Sequence, residues 1–180
     1  MQITEWLTAA TAQLKEASFS SAQLDAEIIL AHCLKKPRTF LHARPERQLD
    51  DRTIEIANAR LDLRLDRVPI AYIIGHKEFY GRLFNVSPQV LIPRPESEEI
   101  IELLADYMGQ NQTLPSLETR RLVDIGTGSG ALGISAKLLY PDIDVTLMDI
   151  SKSALFVAEK NARLLEAQVT TIQSDLLSGY

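Results

Sequence analysis

The sequence predicts an α/β chain: an N-terminal all-α helical bundle, then a β-hairpin linker, then the first half of an open parallel sheet with crossover helices. Three observations predict this. From residue 3 to about residue 65, apolar residues recur at spacings of three and four, the helical period. At Val68-Pro69 the pattern gives way to β-prone residues around Gly81. Beyond residue 120, short apolar runs alternate with helical ones, beginning with Leu122-Val-Asp-Ile-Gly-Thr-Gly-Ser-Gly130. The expected division is 1–67 helical, 68–92 hairpin linker and 93–180 sheet domain.

In the bundle, Trp6, Leu7, Ala10, Leu14 and Ala17 form one apolar stripe. Ser20-Ser-Ala-Gln23 has capping-box spacing, and Leu24, Ile28, Ala31 and Leu34 continue a second amphipathic helix that Pro37 closes. A short turn from Thr39 to His42 leads to Pro45. From Asp50 or Asp51 a third long helix carries Ile54, Ala57, Leu61 and Leu65. The charges between these residues read as solvated faces, or as a docking surface for a protein partner.

Pro69-Ile-Ala-Tyr-Ile-Ile-Gly75 leads into Glu78-Phe-Tyr-Gly-Arg-Leu-Phe-Asn-Val86, two short strands with a turn at Gly81. In Val90-Leu-Ile-Pro-Arg-Pro-Glu-Ser97, two prolines bracket Arg94 and make a stiff loop. Pro95 suits a first helical turn, and Glu96, Glu98 and Glu99 suit a helix N-terminus. That helix runs through Ile100, Ile101, Leu103, Leu104 and Met108, and 109–119 reads as a surface loop.

Leu122–Ile125 is then a strand, the glycines a tight loop, and Ala131 to Leu139 a helix. Such a loop lets a ligand lie against bare main chain, facing the free N–H groups of the helix's first turn. Asp144–Asp149 makes a second strand, Ser151 caps a helix with Ala154, Leu155, Ala158, Ala162 and Leu165 inward, and Val169–Gln173 makes a third strand. Parallel strands so connected bind ligands beyond their C-terminal ends, and Asp124, Asp149 and Asp175 all fall near such ends.

Gly128-Ser-Gly-Ala-Leu-Gly133, with an acid following at Asp149, fits the dinucleotide pattern. Asp124 shifts the balance, because a carboxylate just before the loop repels a pyrophosphate and attracts a cationic ligand. S-adenosylmethionine, with an ammonium and a sulfonium at one end and an adenosine at the other, fits better. Asp124 would take the cationic end, directly or through water, and Asp149 the ribose hydroxyls. A dinucleotide and a purely structural turn remain alternatives.

The composition narrows the function classes. A net charge of −5 and a pI near 5.2 argue against non-specific nucleic-acid binding. The single Cys33 leaves no internal disulfide or Cys-rich zinc site, and His32, His42 and His76 lack ligand spacing, so no metal is expected. No apolar run approaches the ~20 residues of a membrane span, and a cytoplasmic protein is expected.

Asp124 to Gly130, followed by Asp149 and Asp175, resembles a class I S-adenosylmethionine-dependent methyltransferase, whose sheet is Rossmann-like. Pro69–Gly75, Glu78-Phe-Tyr-Gly81 and Leu91-Ile-Pro-Arg-Pro-Glu-Ser97 narrow the resemblance to the HemK/PrmC family, the peptide chain release factor glutamine methyltransferases. The resemblance covers essentially the whole chain. It implies methyl transfer to the side-chain amide nitrogen of the Gln in a release factor's Gly-Gly-Gln loop, with residues 1–67 as a substrate-docking domain. By position it implies that Gly126, Thr127, Gly128, Ser129 and Gly130 cradle the methionine part of the donor. Asp149 would hold the ribose, Asp175 and Leu176 would border the adenine, and Arg94, Pro95 and Glu96 would form a substrate or cofactor loop. Ser97 stands where the family often has Thr, which keeps the hydroxyl.

The family's Asn-Pro-Pro-Tyr motif, expected beyond the third strand to receive the substrate amide, does not occur before Tyr180. No catalytic residue is therefore assigned, and this chain is expected to be inactive alone. Competing readings are a nucleic-acid adenine amino-methyltransferase, a nucleotide-dependent oxidoreductase and a non-catalytic binding module.

Overall fold

The computed structural model describes residues 1–110 and 120–178, and the residues group into two compact units, Met1–Ile74 and Gly75–Tyr180. The architecture is the α/β one the sequence predicts: N-terminal helices, a short antiparallel pair, then a parallel three-stranded sheet. The predicted loop at 109–119 falls partly in a helix, at Gly109 and Gln110, and for 111–119 outside the described residues.

The first unit contains α1 (Ile3–Glu16), α2 (Ala22–Leu34), α3 (Arg38–Ala43), α4 (Asp51–Leu65) and α5 (Ile70–Ile74). α1 buries Ile3, Trp6, Ala10 and Leu14, and α4 buries Ala57 and Leu61, as their stripes predict. Trp6 keeps its polar edge satisfied by donating from Nε1 to Asn58 Oδ1 at 2.8 Å. Asp50 caps α4 by accepting from the Thr53 amide at 2.8 Å.

α2 departs from expectation. Leu24, placed on its inner stripe by the sequence, is 41% exposed, while Ala26, Ile29 and Leu30 are fully buried. The reason is that α2 is the central helix, packed against α1, α3, α4 and α5, so no single stripe describes its buried surface. Ser21, its N-cap, makes no capping bond and donates instead to Asp25 Oδ2. A reciprocal N-terminal bond is found at α1, where the Gln2 amide donates to Glu5 Oε2. α2 ends through Lys35 in the left-handed region, not through Pro37, and the Lys36 amide closes back on the Ala31 carbonyl. The stretch predicted as a turn at 39–42 lies within α3, which Pro37 precedes as N-cap.

The central position of α2 also buries two acids. Asp25 pairs with Arg64 at 2.8 Å, and Glu27 accepts from Arg38 Nε and Gln23 with His42 nearby. These two charges are buried rather than solvated.

In the second unit, β1 (His76–Phe79) and β2 (Arg82–Asn85) form the predicted hairpin, closed by Tyr80 and Gly81, both with positive φ. Phe79 and Phe84 meet edge to face at 6.1 Å, an arrangement worth about 0.5–1.5 kcal/mol beyond burial. The stretch before it, which the sequence reading runs into the hairpin, is α5. Pro95–Ser97 forms a 3-10 turn with Pro95 in its first positions, and α6 (Glu98–Gln110) follows. Ile101 of α6 is buried, whereas Ile100, Leu103 and Tyr107 are exposed.

β3 (Arg121–Ile125), α7 (Ala131–Leu139), β4 (Asp144–Asp149), α8 (Lys152–Leu164) and β5 (Thr170–Gln173) alternate as predicted. The strands are parallel in the order β3-β4-β5, and among the described residues β3 has β4 as its only ladder partner. Ile134, Val145, Leu147, Ala158 and Ala162 join Phe79, Phe84 and Ile101 in one core, which fixes the hairpin and α6 against α7 and α8. Among the described residues no helix is long and apolar enough to cross a membrane.

Glu27 gives the first unit a testable acid sensitivity. Burial alone would raise its pKa; hydrogen bonds from Arg38 and Gln23 and the charges of Arg38 and His42 outweigh this and hold it below the ordinary 4.5. A lowered carboxylate pKa contributes stability that is complete above 4.5 and is lost as pH falls through the folded value. Urea melts from pH 7 down to about pH 3 should show this loss, and Glu27→Gln should lower stability at neutral pH while flattening the acid limb. An acid limb of equal slope in both proteins would contradict it.

Candidate functional site

β3 delivers Asp124 to the C-terminal edge of the sheet, just before a loop in which every second residue has positive φ: Gly126 (71°), Gly128 (54°) and Gly130 (80°). Alternation of this kind turns successive amides toward one side. Asp124 Oδ2 accepts from Thr127 Oγ1 at 2.7 Å and from the Gly133 amide at 3.0 Å. It thus closes the loop and satisfies one of the unpaired donors at the start of α7. Gly133 is closely packed: a Cβ there would overlap Leu147 Cδ2 and lie 3.1 Å from both Cβ and Oδ2 of Asp124.

One strand along, Asp149 ends β4 in the same way. Its Oδ2 accepts from the Gly128 amide and its Oδ1 from the Ser151 amide, each at 2.9 Å. Ser151 Oγ in turn caps α8 by accepting from the Ala154 amide. The Thr127 amide donates to the Met148 carbonyl, and the Ser174 amide to that of Asp149, so the ends of all three strands are tied together.

Beside the loop lies a cleft of about 140 Å³. One side is the Gly loop and helix start, Gly126 to Ser129 with Ala131 and Leu132. The other is Phe79 of the hairpin with Leu91, Ile92, Pro93, Arg94 and Ser97. The hairpin is held in place from α6: the Tyr80 amide donates to Glu98 Oε1 at 2.9 Å. Its phenol also bonds Glu102, which raises its pKa above the ordinary 10.0. The rim therefore joins main-chain donors, an apolar wall and one guanidinium.

A larger cleft of about 730 Å³ lies at the opposite ends of the strands, lined by Arg121, Lys137, Asp144, Glu159 and Arg163 among others. It has no glycine cradle and no helix N-terminus. Lys137 is already committed there to the carbonyls of Pro141 and Ile143. Its size alone does not make it the site, because open α/β sheets bind ligands at the carboxyl ends of their strands.

Two parts of the chain match known protein families. Residues 5–75 match the PrmC N-terminal domain, and residues 103–180 the methyltransferase small domain. A release factor glutamine methyltransferase of Koribacter versatilis is 40% identical over 99% of this chain, and one of Leptospira interrogans 41% identical over 91%. The chain belongs to the HemK/PrmC family. Another member, from Coxiella burnetii, is 41% identical over 78% of the chain. The chain spans 62%, 56% and 49% of the length of these three relatives.

Seen as a HemK/PrmC chain, the structure separates the residues singled out in the sequence into those that line the cleft, those that support its loop and those that do neither. Gly126, Thr127, Gly128, Ser129 and Arg94 line the cleft. Asp124, Asp149 and Gly130 support the loop from behind or at its end. Pro95 and Glu96 lie in the 3-10 turn and do not line the cleft. Asp175 is exposed in the turn after β5, and Leu176 is 69% exposed with positive φ. Phe79 was missed as a wall residue; its neighbourhood in Glu78-Phe-Tyr-Gly81 was visible, its orientation was not. Asn161, also missed, had a signal: it falls at helical spacing from Ala158 on an otherwise apolar face.

The loop glycines should differ in sensitivity. A Cβ on Gly126 would meet nothing within 4 Å, so Gly126→Ala should cost only the left-handed strain of about 1–2 kcal/mol. At Gly130 a Cβ would stand 2.7 Å from Ile134 Cδ1 and 3.2 Å from Ala158 Cβ, and Gly130→Ala should lose about 1–3 kcal/mol more. Chemical denaturation measures both; equal losses would contradict the close packing of Gly130 against α7 and α8.

Proposed function

We propose that this chain carries the methyl-donor site of an enzyme that methylates the side-chain amide nitrogen of the Gln in the Gly-Gly-Gln motif of peptide chain release factors. The observation that carries the reading is the cleft that brings Pro93, Arg94 and Ser97 against Gly126 to Ser129. The Gly loop is common to many nucleotide-binding proteins; its union with the Pro-Arg-Pro segment is the narrower feature. The curated names of the relatives support the acceptor.

The residues present fit S-adenosylmethionine. A cleft of about 140 Å³ is smaller than the ~300 Å³ or more of a site that encloses a whole ligand of this kind, so it receives the methionine end alone. The first-turn amides of α7 suit the carboxylate, and Arg94 adds the guanidinium among the lining residues. Asp149 already accepts two amide hydrogens, yet each of its oxygens keeps a second lone pair for a ribose hydroxyl. Asp175 and Leu176, exposed in the turn after β5, are the residues this reading assigns to border the adenine. When bound, the donor supplies an electrophilic methyl group on a sulfonium. This chain's own residues hold and orient it, and Phe79 and Leu91 keep water from one side.

An amide nitrogen is a weak nucleophile, and its N–H groups need acceptors that aim it at the methyl carbon. No Asn-Pro-Pro-Tyr stretch occurs in the 180 residues, and none of them is assigned that role. In this reading the helical unit docks the release factor, and the site of action is the cytoplasm.

Asp149→Ala should weaken S-adenosylmethionine binding by about 1–3 kcal/mol, through lost charge-assisted hydrogen bonds, in a calorimetric titration. Unchanged affinity would remove Asp149 from the ribose role, and stabilisation of the chain by NAD but not by S-adenosylmethionine would overturn the donor assignment. For the acceptor, deleting residues 1–65 from a methylating form of the enzyme should raise KM for a release factor more than KM for the donor. Equal effects would limit the helices to supporting the fold.

A further inference from the structure

Asn161 is fully buried, the single polar residue on the buried face of α8. An Asn side chain has two acceptor lone pairs and two donor hydrogens, and here all four are used. Oδ1 accepts from the Asn85 amide at 2.7 Å and from Asn85 Nδ2 at 2.9 Å. Nδ2 donates to the carbonyls of Asn85 at 3.0 Å and Ser129 at 2.9 Å. Flipping the amide would set donors against donors and a carbonyl against carbonyls, so the network fixes its orientation.

These four bonds join two separate parts of the site. Three hold Asn85 at the end of β2, bonding its main-chain N–H and C=O much as a neighbouring strand would. The fourth holds Ser129 in the Gly loop. Phe79 of the same hairpin and Ser129 both line the cleft. A helix face otherwise built of Ala and Leu has no packing need for an amide here, and a leucine of similar size would leave three backbone groups unpaired.

We infer that Asn161 is a positioning residue of the donor site, locking the hairpin wall to the Gly loop so that the two sides of the cleft move as one. The inference rests on the donor reading above. Asn161 touches neither donor nor acceptor; it acts through Ser129 and Asn85.

The test compares the chain with Asn161→Asp, Asn161→Leu and a control on the same packed surface, Leu165→Ala, by titration with S-adenosylhomocysteine and by amide hydrogen exchange. Asn161→Asp keeps the acceptors but loses both donors and sets a charge beside two carbonyls. Both Asn161 variants should bind about tenfold or more weakly, and exchange should quicken together at Asn85 and across 126–130. Leu165→Ala should lower the melting temperature without that loss of affinity. Wild-type affinity in a folded Asn161 variant, or the same loss in the control at equal melting temperature, overturns the proposal. If neither Asn161 variant folds, Asn85→Ala decides: it removes one of the four bonds at a half-buried position and should weaken binding by a few fold. Wild-type affinity there counts against the lock. Failure of the unaltered chain to bind removes the donor reading and this inference with it, whereas binding that no variant changes removes only the inference.

Discussion

Two carboxylates at the ends of adjacent parallel strands hold the candidate site in shape. Asp124 and Asp149 together accept one hydroxyl and three backbone amides, those of Gly133, Gly128 and Ser151. A loop with alternating positive φ cannot be held by a sheet ladder, so its amides need other partners. Hydrogen bonds to charged acceptors, at about 1.5–3 kcal/mol each, are strong enough to fix it. The same bonds satisfy donors at the starts of α7 and α8, where a negative charge also meets the positive end of each helix. One pair of acids thereby sets the loop and orients two helices.

The Gly loop is thus a rigid support before any ligand arrives. Asp149 ties it to α8, Asn161 ties it to the hairpin, and Glu98 ties the hairpin turn to α6. The Pro-Arg-Pro segment enters from the hairpin side with both prolines restricting its path. Polar bonds between segments distant in sequence do here what loop-internal contacts could not. In the helical unit the same economy appears in another form: Asp25 and Glu27 of α2 are buried, and Arg64 and Arg38 make that burial tolerable.

Most of the secondary structure was legible in the sequence because its periodicities are strong. The stripe from Trp6 to Leu14, the hairpin around Gly81 and the alternation after residue 120 each appear where expected. The misreadings arose where tertiary packing overrides a local rule. α2 has no single apolar face because it lies at the centre of its unit, and its end is a left-handed Lys35, which no glycine announces. The acids of the site were legible as positions but not as bonds. Charge alone suggested that Asp124 faces a ligand, whereas one of its oxygens is taken by Thr127 and Gly133. Asn161 lay beyond a motif search because its partners, Asn85 and Ser129, are brought to it only by the fold.

The central claim is that the methyl donor enters at the carboxyl ends of the strands, against the Gly loop. Amide chemical shifts recorded while S-adenosylmethionine is added to the isotopically labelled chain test it most directly. Saturable shifts at Gly128, Gly130, Ala131 and Leu132, with Arg94 following, are the predicted result. Shifts confined to the opposite cleft, around Arg121, Thr146 and Arg163, would contradict it, as would a spectrum that does not change.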